Sequence, residues 1–212
     1  MGKVISAAVI RRLPKYYRYL GLLEEKGKER VSSQELSEIT GFTASQIRQD
    51  FNHFGGFGQQ GYGYRVENLR QHIAEIIGLD RTYKVAIVGM GHLGLALANS
   101  TLFQHSSFCL CALYDNDEEK VGNQVCGLSI SGVSDLKRDL AAKKIDILTI
   151  TTPKSVAQTM VDLAEDAGVK GIWNFALTDL KRSGKAVIEN VYLKESLHTL
   201  SYYMGNQQDY KD

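Results

Sequence analysis

The sequence lacks a net charge of either sign, and it lacks long apolar runs. Its 212 residues include 25 basic and 24 acidic side chains, which give a formal net charge of +1. Over the whole chain, that balance argues against a protein whose entire surface binds nucleic acid. The longest apolar runs are strand-length stretches such as 85–88, far short of the ~20 residues that a membrane span needs. We therefore expect an ordinary globular protein without a membrane partner.

Cysteine is also scarce. The three cysteines, Cys109, Cys111 and Cys126, contain no Cys-x-x-Cys spacing. Cys109 and Cys111 are two residues apart, so on a strand they share a face and cannot readily form a disulfide. No secretory leader pattern is visible, because basic residues interrupt the first segment. We expect reduced core cysteines in a cytoplasmic protein, with no metal site.

The even total charge conceals an uneven distribution. Residues 1–82 carry 12 basic and 9 acidic side chains, whereas residues 83–212 carry 13 and 15. Residues 1–22 contain five basic side chains and no acid. A basic arm on a faintly acidic body is typical of a small DNA-binding domain joined to a second domain, although a solvated helix face gives the same pattern.

Helical periodicity dominates the first 80 residues. Segment 7–26 is predicted to be a helix, which either kinks or restarts at Pro14. Capping-box sequences at 32–35 and 43–46 each open a short helix, and a glycine lies between the two. Two short capped helices joined by a tight turn predict a helix-turn-helix unit.

The third helix, running to about residue 54, is the candidate recognition helix. Ile47 and Phe51 are predicted to face inward, and the polar residues between them to face outward, where they could bond base edges or phosphates. An ordinary polar surface helix is the alternative. Five glycines within 55–64, interleaved with aromatics, then predict a β-hairpin wing rather than a flexible linker. The expected DNA-contacting residues are Arg11, Arg12, Lys15, Ser32, Ser33, Ser45, Gln46, Arg48, Gln49, Gln59, Gln60 and Gly61.

A strand-turn-helix pattern opens the second half. A buried strand at 83–88 leads into a G-x-G-x-x-G turn at 89–94, and a helix follows. In such a turn the first glycine makes the bend, the second admits a pyrophosphate and the third lets the helix pack on the strand. A second strand, 108–114, ends in Asp115, where a carboxylate accepts hydrogen bonds from ribose hydroxyls and repels a 2′-phosphate. The pattern favours NAD(H), and a turn that merely packs is the alternative.

Strands and helices then alternate almost to the end of the chain. Helices are predicted at 134–143 and 155–167, and strands at 145–150, 169–175 and 186–191. This alternation predicts a doubly wound parallel sheet, which binds ligands at the carboxyl edge of its strands. The expected cofactor-binding residues are Gly89, Met90, Gly91, His92, Leu93, Gly94, Asp115, Thr151, Thr152, Pro153, Asn174 and Phe175.

We divide the chain into a winged-helix DNA-binding domain at 1–80, a dinucleotide-binding domain at 81–192 and a terminal segment at 193–212. The terminal segment contains a predicted helix at 195–203 with an apolar side. The pattern leaves open whether that side docks on a partner subunit or on its own domain.

The chain resembles the Rex family of bacterial redox-sensing transcriptional repressors over nearly its whole length. The segments that carry the resemblance are 12–20, 32–36, 46–51, 54–64, 89–94 and 171–176. The resemblance implies an α/β homodimer with an N-terminal winged helix, a Rossmann domain and a last helix swapped between subunits. It also implies binding to palindromic operator DNA, release by NADH, and competition by NAD+, which favours the DNA-bound state.

Some positions depart from the family pattern. Gln49, Gln59 and Gln60 are neutral where many relatives carry Lys or Arg, which implies a weaker salt dependence of DNA binding. Ser100 and Tyr192 stand where some relatives carry a Tyr and an Asp that couple NADH to movement. Neither can make the same ionic contact to the first helix, so the resemblance does not specify which residues couple NADH to movement in this chain.

Three other functions compete with this interpretation. An NAD-dependent dehydrogenase needs a substrate domain, and the 21 residues after Val191 are too few for one. A CoA-binding module shares the same sheet and glycine turn. A DNA-binding regulator with a ligand-free second domain is disfavoured by the intact glycines. We expect no catalytic residues.

Overall fold

The structure is a computed structural model, and it describes residues 5–55, 62–104 and 106–206. These residues form two compact units. The first contains the described residues up to Asp80 together with Asn206, and the second is Arg81–Gly205. The elements of the first unit are α1 (Ala7–Glu25), β1 (Arg30–Val31), α2 (Ser33–Thr40), α3 (Ala44–Asn52), β2 (Tyr64–Arg65) and α4 (Val66–Ile76).

The first unit is a small helical domain. α1 continues as one helix through Pro14, so no new helix starts there. The core joins all four helices through residues that recur at helical spacing, including Leu13, Tyr16, Leu36, Ile47, Phe51, Leu69 and Ile73. The predicted inward face of the third helix is confirmed, since Ile47 and Phe51 are buried. The core therefore holds α3 by one face and leaves its polar face outside.

The strand that follows the glycine-rich segment pairs with a short strand that the sequence did not predict. β2 pairs antiparallel with β1, which precedes α2. Gly63 lies on this return path at φ +67, and a Cβ there would be 2.7 Å from the carbonyl oxygen of Val31. The predicted hairpin tip, Gln59 and Gln60, and the predicted DNA contact Gly61 lie outside the described residues.

The second unit is a three-layer α/β domain. Its helices are α5 (His92–Ala98), α6 (Leu136–Lys143), α7 (Lys154–Asp166) and α8 (Leu193–Gly205). Its strands are β3 (Tyr83–Val88), β4 (Phe108–Asp115), β5 (Gln124–Val125), β6 (Leu128–Gly132), β7 (Ile147–Ile150), β8 (Gly171–Asn174) and β9 (Val187–Asn190).

The sheet has the strand order β5-β6-β4-β3-β7-β8-β9, and its pairs are parallel except for β5 with β6. α6 and α7 pack on one face with Leu148, Ile150 and Ile172, whereas Ala98 of α5 joins Ile87 and Leu113 on the other. The doubly wound sheet is confirmed. β5 and β6 were not predicted, because both are short and lie in a polar, glycine-containing stretch.

The expectation of core cysteines is wrong. Cys109 and Cys126 are exposed, Cys111 is half-buried, and all three are free. Cys109 and Cys111 lie in the first half of β4, which β6 does not cover because it pairs with β4 only from Leu113 to Asp115. Cys126 lies in the turn between β5 and β6.

The terminal helix and one cavity leave apolar surface without cover. α8 has no buried residue, and Leu193, Leu197, Leu200 and Met204 are more than half exposed. A cavity of about 440 Å³ opens beside the first residues of β4, β7, β8 and β9. Among the described helices, none combines the length and the hydropathy that a membrane crossing requires.

Candidate functional site

Two of the three glycines in the turn after β3 are required by the chain itself. Gly89 has φ +97, and a Cβ there would lie 2.9 Å from the backbone of Thr151 and Thr152. A Cβ on Gly94 would lie 2.1 Å from the carbonyl oxygen of Gly89. These contacts bring α5 and the end of β7 against the turn, so any larger residue forces backbone apart.

Gly91 is different, because nothing in the chain requires it to be glycine. Its φ is −77 and its ψ is −168, which other residues adopt freely. A Cβ there would meet no atom within 4 Å. The turn is therefore open at the residue that caps α5. A glycine in such a place leaves room for a ligand to touch the backbone, as the pyrophosphate of a dinucleotide does.

Asp115 lies beside the turn, at the carboxyl end of β4. It is 4% exposed, and its Oδ2 accepts a hydrogen bond of 2.6 Å from the Met90 amide. Its Oδ1 accepts from the amide of Asp117 at 2.9 Å, and the Lys120 ammonium lies 3.5 Å from Oδ2. Asp115 therefore holds the turn in shape, and its Oδ1 keeps a further lone pair for a ribose hydroxyl. Lys120 was not anticipated, since it belongs to no motif.

The end of β7 supplies the second wall of the site. The Thr151 hydroxyl lies 3.0 Å from the Val88 carbonyl and 2.7 Å from the Gly89 carbonyl, so it ties β7 to the turn. The Thr152 hydroxyl is buried and has no hydrogen-bond partner among the described residues. A buried hydroxyl without a partner is costly, which makes it a position for a polar ligand group. Pro153 is exposed and caps α7.

The remaining predicted cofactor residues divide into packed and open positions. Met90 is fully buried in the core, and only its amide faces Asp115. His92 is exposed at the start of α5, and Leu93 is half-buried. Both amide hydrogens of Asn174 are used, on the Thr178 carbonyl at 3.0 Å and the Asn190 side chain at 2.8 Å. Asn174 therefore shapes the loop that presents half-buried Phe175 at the edge of the sheet.

In the first unit, side-chain caps place the helix-turn-helix. Ser32 and Glu35 form the predicted capping box at the start of α2. Thr43 accepts from the amide of Gln46 at 3.2 Å, but the structure records no return bond from the Gln46 side chain, so the second box is half formed. Ser32 is thereby occupied in folding, whereas Ser45 and Gln49 stay exposed on α3.

Arg48 is the exposed cation of α3. Its guanidinium donates to the Ser33 hydroxyl at 2.9 Å, which joins α3 to the start of α2. Arg11 is exposed on α1, and the Lys15 ammonium lies 4.9 Å from the centre of the Phe42 ring. These cations provide the positive charge that a phosphate backbone would meet.

The structure adds a buried ion pair that sequence reasoning missed. Asp50 is 2% exposed, although it lies on the polar helix α3. Its carboxylate accepts from Arg12 at 2.7 and 2.6 Å and from the Tyr16 hydroxyl at 2.8 Å. Burial, followed by the bond to Asp50, raises the pKa of Tyr16. Arg12, which was predicted to contact DNA, thus anchors α3 to α1. The only sequence signal for this contact was that Arg12 and Tyr16 are four residues apart and so share a face of α1.

The two positions that depart from the family pattern have local partners. The Ser100 hydroxyl donates to the Leu97 carbonyl at 2.6 Å and caps a short 3-10 turn. The Tyr192 hydroxyl donates to Asp179. Each side chain therefore has a structural role within the second unit.

Comparison with known proteins agrees with this architecture. Residues 4–52 match the family model "Putative DNA-binding protein N-terminus", and residues 80–178 match "CoA binding domain". The redox-sensing transcriptional repressor Rex of Clostridioides difficile (strain 630) is 50% identical over 203 residues, which cover 96% of this chain and 97% of the relative. The Rex protein of Clostridium novyi (strain NT) is 50% identical, with 95% and 96% covered.

Solved structures agree over the same length. RSP in complex with β-NAD+ and operator DNA is 46% identical with a TM-score of 0.90, covering 97% of this chain and 95% of that one. RSP in complex with β-NADH is 43% identical with a TM-score of 0.89, and 97% of each chain is covered. RSP is described as a Rex-family repressor. With half of its residues identical over almost the full length of curated relatives, this chain belongs to the Rex family of redox-sensing transcriptional repressors.

Proposed function

We propose that this protein is a redox-sensing transcriptional repressor that binds palindromic operator DNA as a homodimer. NADH releases it from the operator, while NAD+ competes for the same site and favours the DNA-bound state. The observation that carries the proposal is Gly91, a glycine that the chain does not need and a pyrophosphate does. The same chain exposes polar residues and Arg48 on α3, the helix in the position of a recognition helix.

NAD(H) is the proposed cofactor, and the described residues suit it. The open backbone at Gly91, the remaining lone pair of Asp115 Oδ1 and the unpartnered hydroxyl of Thr152 are all close to the glycine turn. The cofactor supplies a nicotinamide ring that is cationic when oxidised and neutral when reduced. The protein binds it without turning over a substrate, so we propose no enzymatic activity.

Redox discrimination follows from the cost of burying charge. A cationic ring that enters an apolar environment without a partner loses its hydration, whereas the neutral ring of NADH does not. We expect NADH to insert more deeply at the subunit interface and to favour an arrangement of the dimer that no longer matches the operator. A ligand changes DNA affinity only through such a difference between two arrangements. In the DNA-bound arrangement, the two recognition helices must enter successive major grooves ~34 Å apart.

Homodimer formation is supported by exposed apolar surface in the second unit. α8 presents four large apolar side chains to solvent, and the cavity of about 440 Å³ is lined mainly by apolar residues such as Phe103, Phe108 and Trp173. A helix that exposes an apolar side and buries nothing in its own unit suits exchange with a second copy. We therefore propose a swapped terminal segment at 193–212, after DNA-binding and NAD(H)-binding domains at 1–80 and 81–192. Because the operator is chromosomal DNA, the proposal places the protein in the cytoplasm.

The decisive experiment is an operator gel shift in which NADH and NAD+ are titrated separately and against each other. The proposal requires that NADH dissociates the complex and that added NAD+ restores it. Equal effects of the two forms, or no effect of either, would overturn redox sensing. Operator binding without any NADH response would leave a DNA-binding regulator of another kind.

A CoA-binding module is the second candidate, because residues 80–178 match a CoA-binding family model. The carboxylate of Asp115 argues against it, since a phosphorylated ribose would meet a negative charge at the end of β4. Calorimetry distinguishes the two ligands: we expect NADH to release binding heat and CoA to release none at the same concentration.

A further inference from the structure

A pair of thiols lies on β4, away from any role in the glycine turn. Cys109 is exposed and Cys111 is half-buried, and the Cys111 thiol donates to the Cys109 sulfur at 3.7 Å. The pair exists because the two residues are two apart on a strand and so share a face. An irregularity in the pairing of β3 with β4 falls at the same place, between Val85 and Ala86.

The sulfur separation matches a chelate rather than a disulfide. Two thiolates bound to one tetrahedral ion at about 2.3 Å each are about 3.8 Å apart, close to the observed 3.7 Å. A disulfide requires the sulfurs to approach from 3.7 Å to about 2.05 Å. Chelation therefore needs less movement than oxidation.

The environment of the Cys111 thiol slows its oxidation and still permits chelation. Burial, followed by the contact with Cys109, raises the pKa of the Cys111 thiol, while nearby Lys84 lowers it by a smaller amount. A protonated thiol reacts slowly with peroxides. A thiophilic ion displaces the proton when it binds, because coordinated sulfur is deprotonated.

We propose that Cys109 and Cys111 form a two-thiol binding site for a thiophilic d10 ion such as Zn²⁺, and that Cd²⁺ and a trivalent arsenical serve as its probes. The described residues contain no group of three or more potential metal ligands, so the site provides two sulfurs and the other positions on the ion go to water or to the arsenical's own substituent. With phenylarsine oxide, two As–S bonds form, the As–O bond breaks, and the two thiol protons leave with that oxygen as water. No electron is transferred.

The chain contains its own control. Cys126 is exposed, and its thiol contacts Ala98 and Asn99 at the end of α5 rather than another sulfur. The reduced full-length protein is titrated with phenylarsine oxide, and intact mass and free-thiol counts are recorded. We expect one arsenical per chain with two thiols lost, and the same for Cys126→Ser.

The pair is tested by removing either sulfur. Cys109→Ser and Cys111→Ser should each bind the arsenical about 10²–10⁴-fold more weakly, because the second sulfur binds at high effective concentration. Cys109 is exposed, so Cys109→Ser is expected to fold, and an unchanged thermal unfolding curve verifies it. Cd²⁺ titration followed by the ultraviolet Cd–S absorption should give the same order of variants. Wild-type affinity in Cys109→Ser, or loss of binding in Cys126→Ser, overturns the proposal.

Discussion

In the glycine turn at 89–94, adding one methyl group at Gly91 or at Gly94 distinguishes a glycine needed for ligand binding from one needed for folding. In Gly91→Ala the new Cβ meets no atom within 4 Å, and φ −77 is accessible to alanine. The free energy of unfolding should be unchanged or rise by about 0.4–1 kcal/mol, because alanine restricts the unfolded chain. In Gly94→Ala the Cβ would lie 2.1 Å from the Gly89 oxygen. Overpacking against backbone should cost about 3 kcal/mol and lower the Tm by about 10 °C.

NADH affinity should show the opposite order. When both variants are folded, Gly91→Ala should weaken NADH binding more than Gly94→Ala does. A methyl group at residue 91 keeps the pyrophosphate away from the backbone of the turn. Loss of one charge-assisted hydrogen bond costs about 1.5–3 kcal/mol, which corresponds to roughly a 10- to 100-fold weaker affinity. Thermal unfolding by circular dichroism measures the first effect, and NADH fluorescence titration at a temperature where both variants are folded measures the second.

Two results would refute this reasoning. If Gly91→Ala bound NADH as tightly as the unaltered protein, the open space at Gly91 would not be where the phosphates lie. If Gly91→Ala lowered the Tm as much as Gly94→Ala, the glycine would be needed for folding. In operator gel shifts, Gly91→Ala should remain bound to DNA at NADH concentrations that release the unaltered protein.

Three further predictions concern other parts of the chain. Asp50→Ala should destabilise the first unit by about 3 kcal/mol and lower its Tm by about 15 °C in calorimetry, because it leaves Arg12 and Tyr16 without their buried partner. Arg48→Ala should weaken operator binding in gel shifts without changing NADH affinity, and should reduce the slope of log affinity against log salt by about 0.9 per subunit. Bonds from the 183–186 loop, those from Ser183 first, lower the pKa of Glu165. Glu165→Gln should therefore lower the Tm at neutral pH, and the difference should vanish as the pH falls below 4.5.

Control variants separate the predicted effects from the general effect of removing a charged side chain. Lys28→Ala removes an exposed ion pair in the first unit and should cost less than about 1 kcal/mol. Lys137→Ala removes an exposed cation of the second unit and should leave the salt slope unchanged. A cost for Asp50→Ala as small as that of Lys28→Ala would mean that the buried pair does not anchor α3.

Local pattern was enough to predict most of the helices and strands. The capping box at Ser32, the inward face of α3 and the strand-turn-helix at 83–98 depend on residues within a few positions of each other, and the structure confirms them. The path of the wing was less predictable. β2 pairs with β1 across α2 and α3, and only folding brings these segments together.

Short-range periodicity and spacing were enough to predict the two kinds of unit, the doubly wound sheet and the three glycines of the turn. Tertiary packing settles which of those glycines the fold requires, because the overlaps at Gly89 and Gly94 come from backbone far from the glycine in sequence or from the turn closing on itself. It also decided that Asp50, a polar residue on a polar helix, is buried beside Arg12. Burial depends on what packs against a residue, and spacing along one helix does not contain that information.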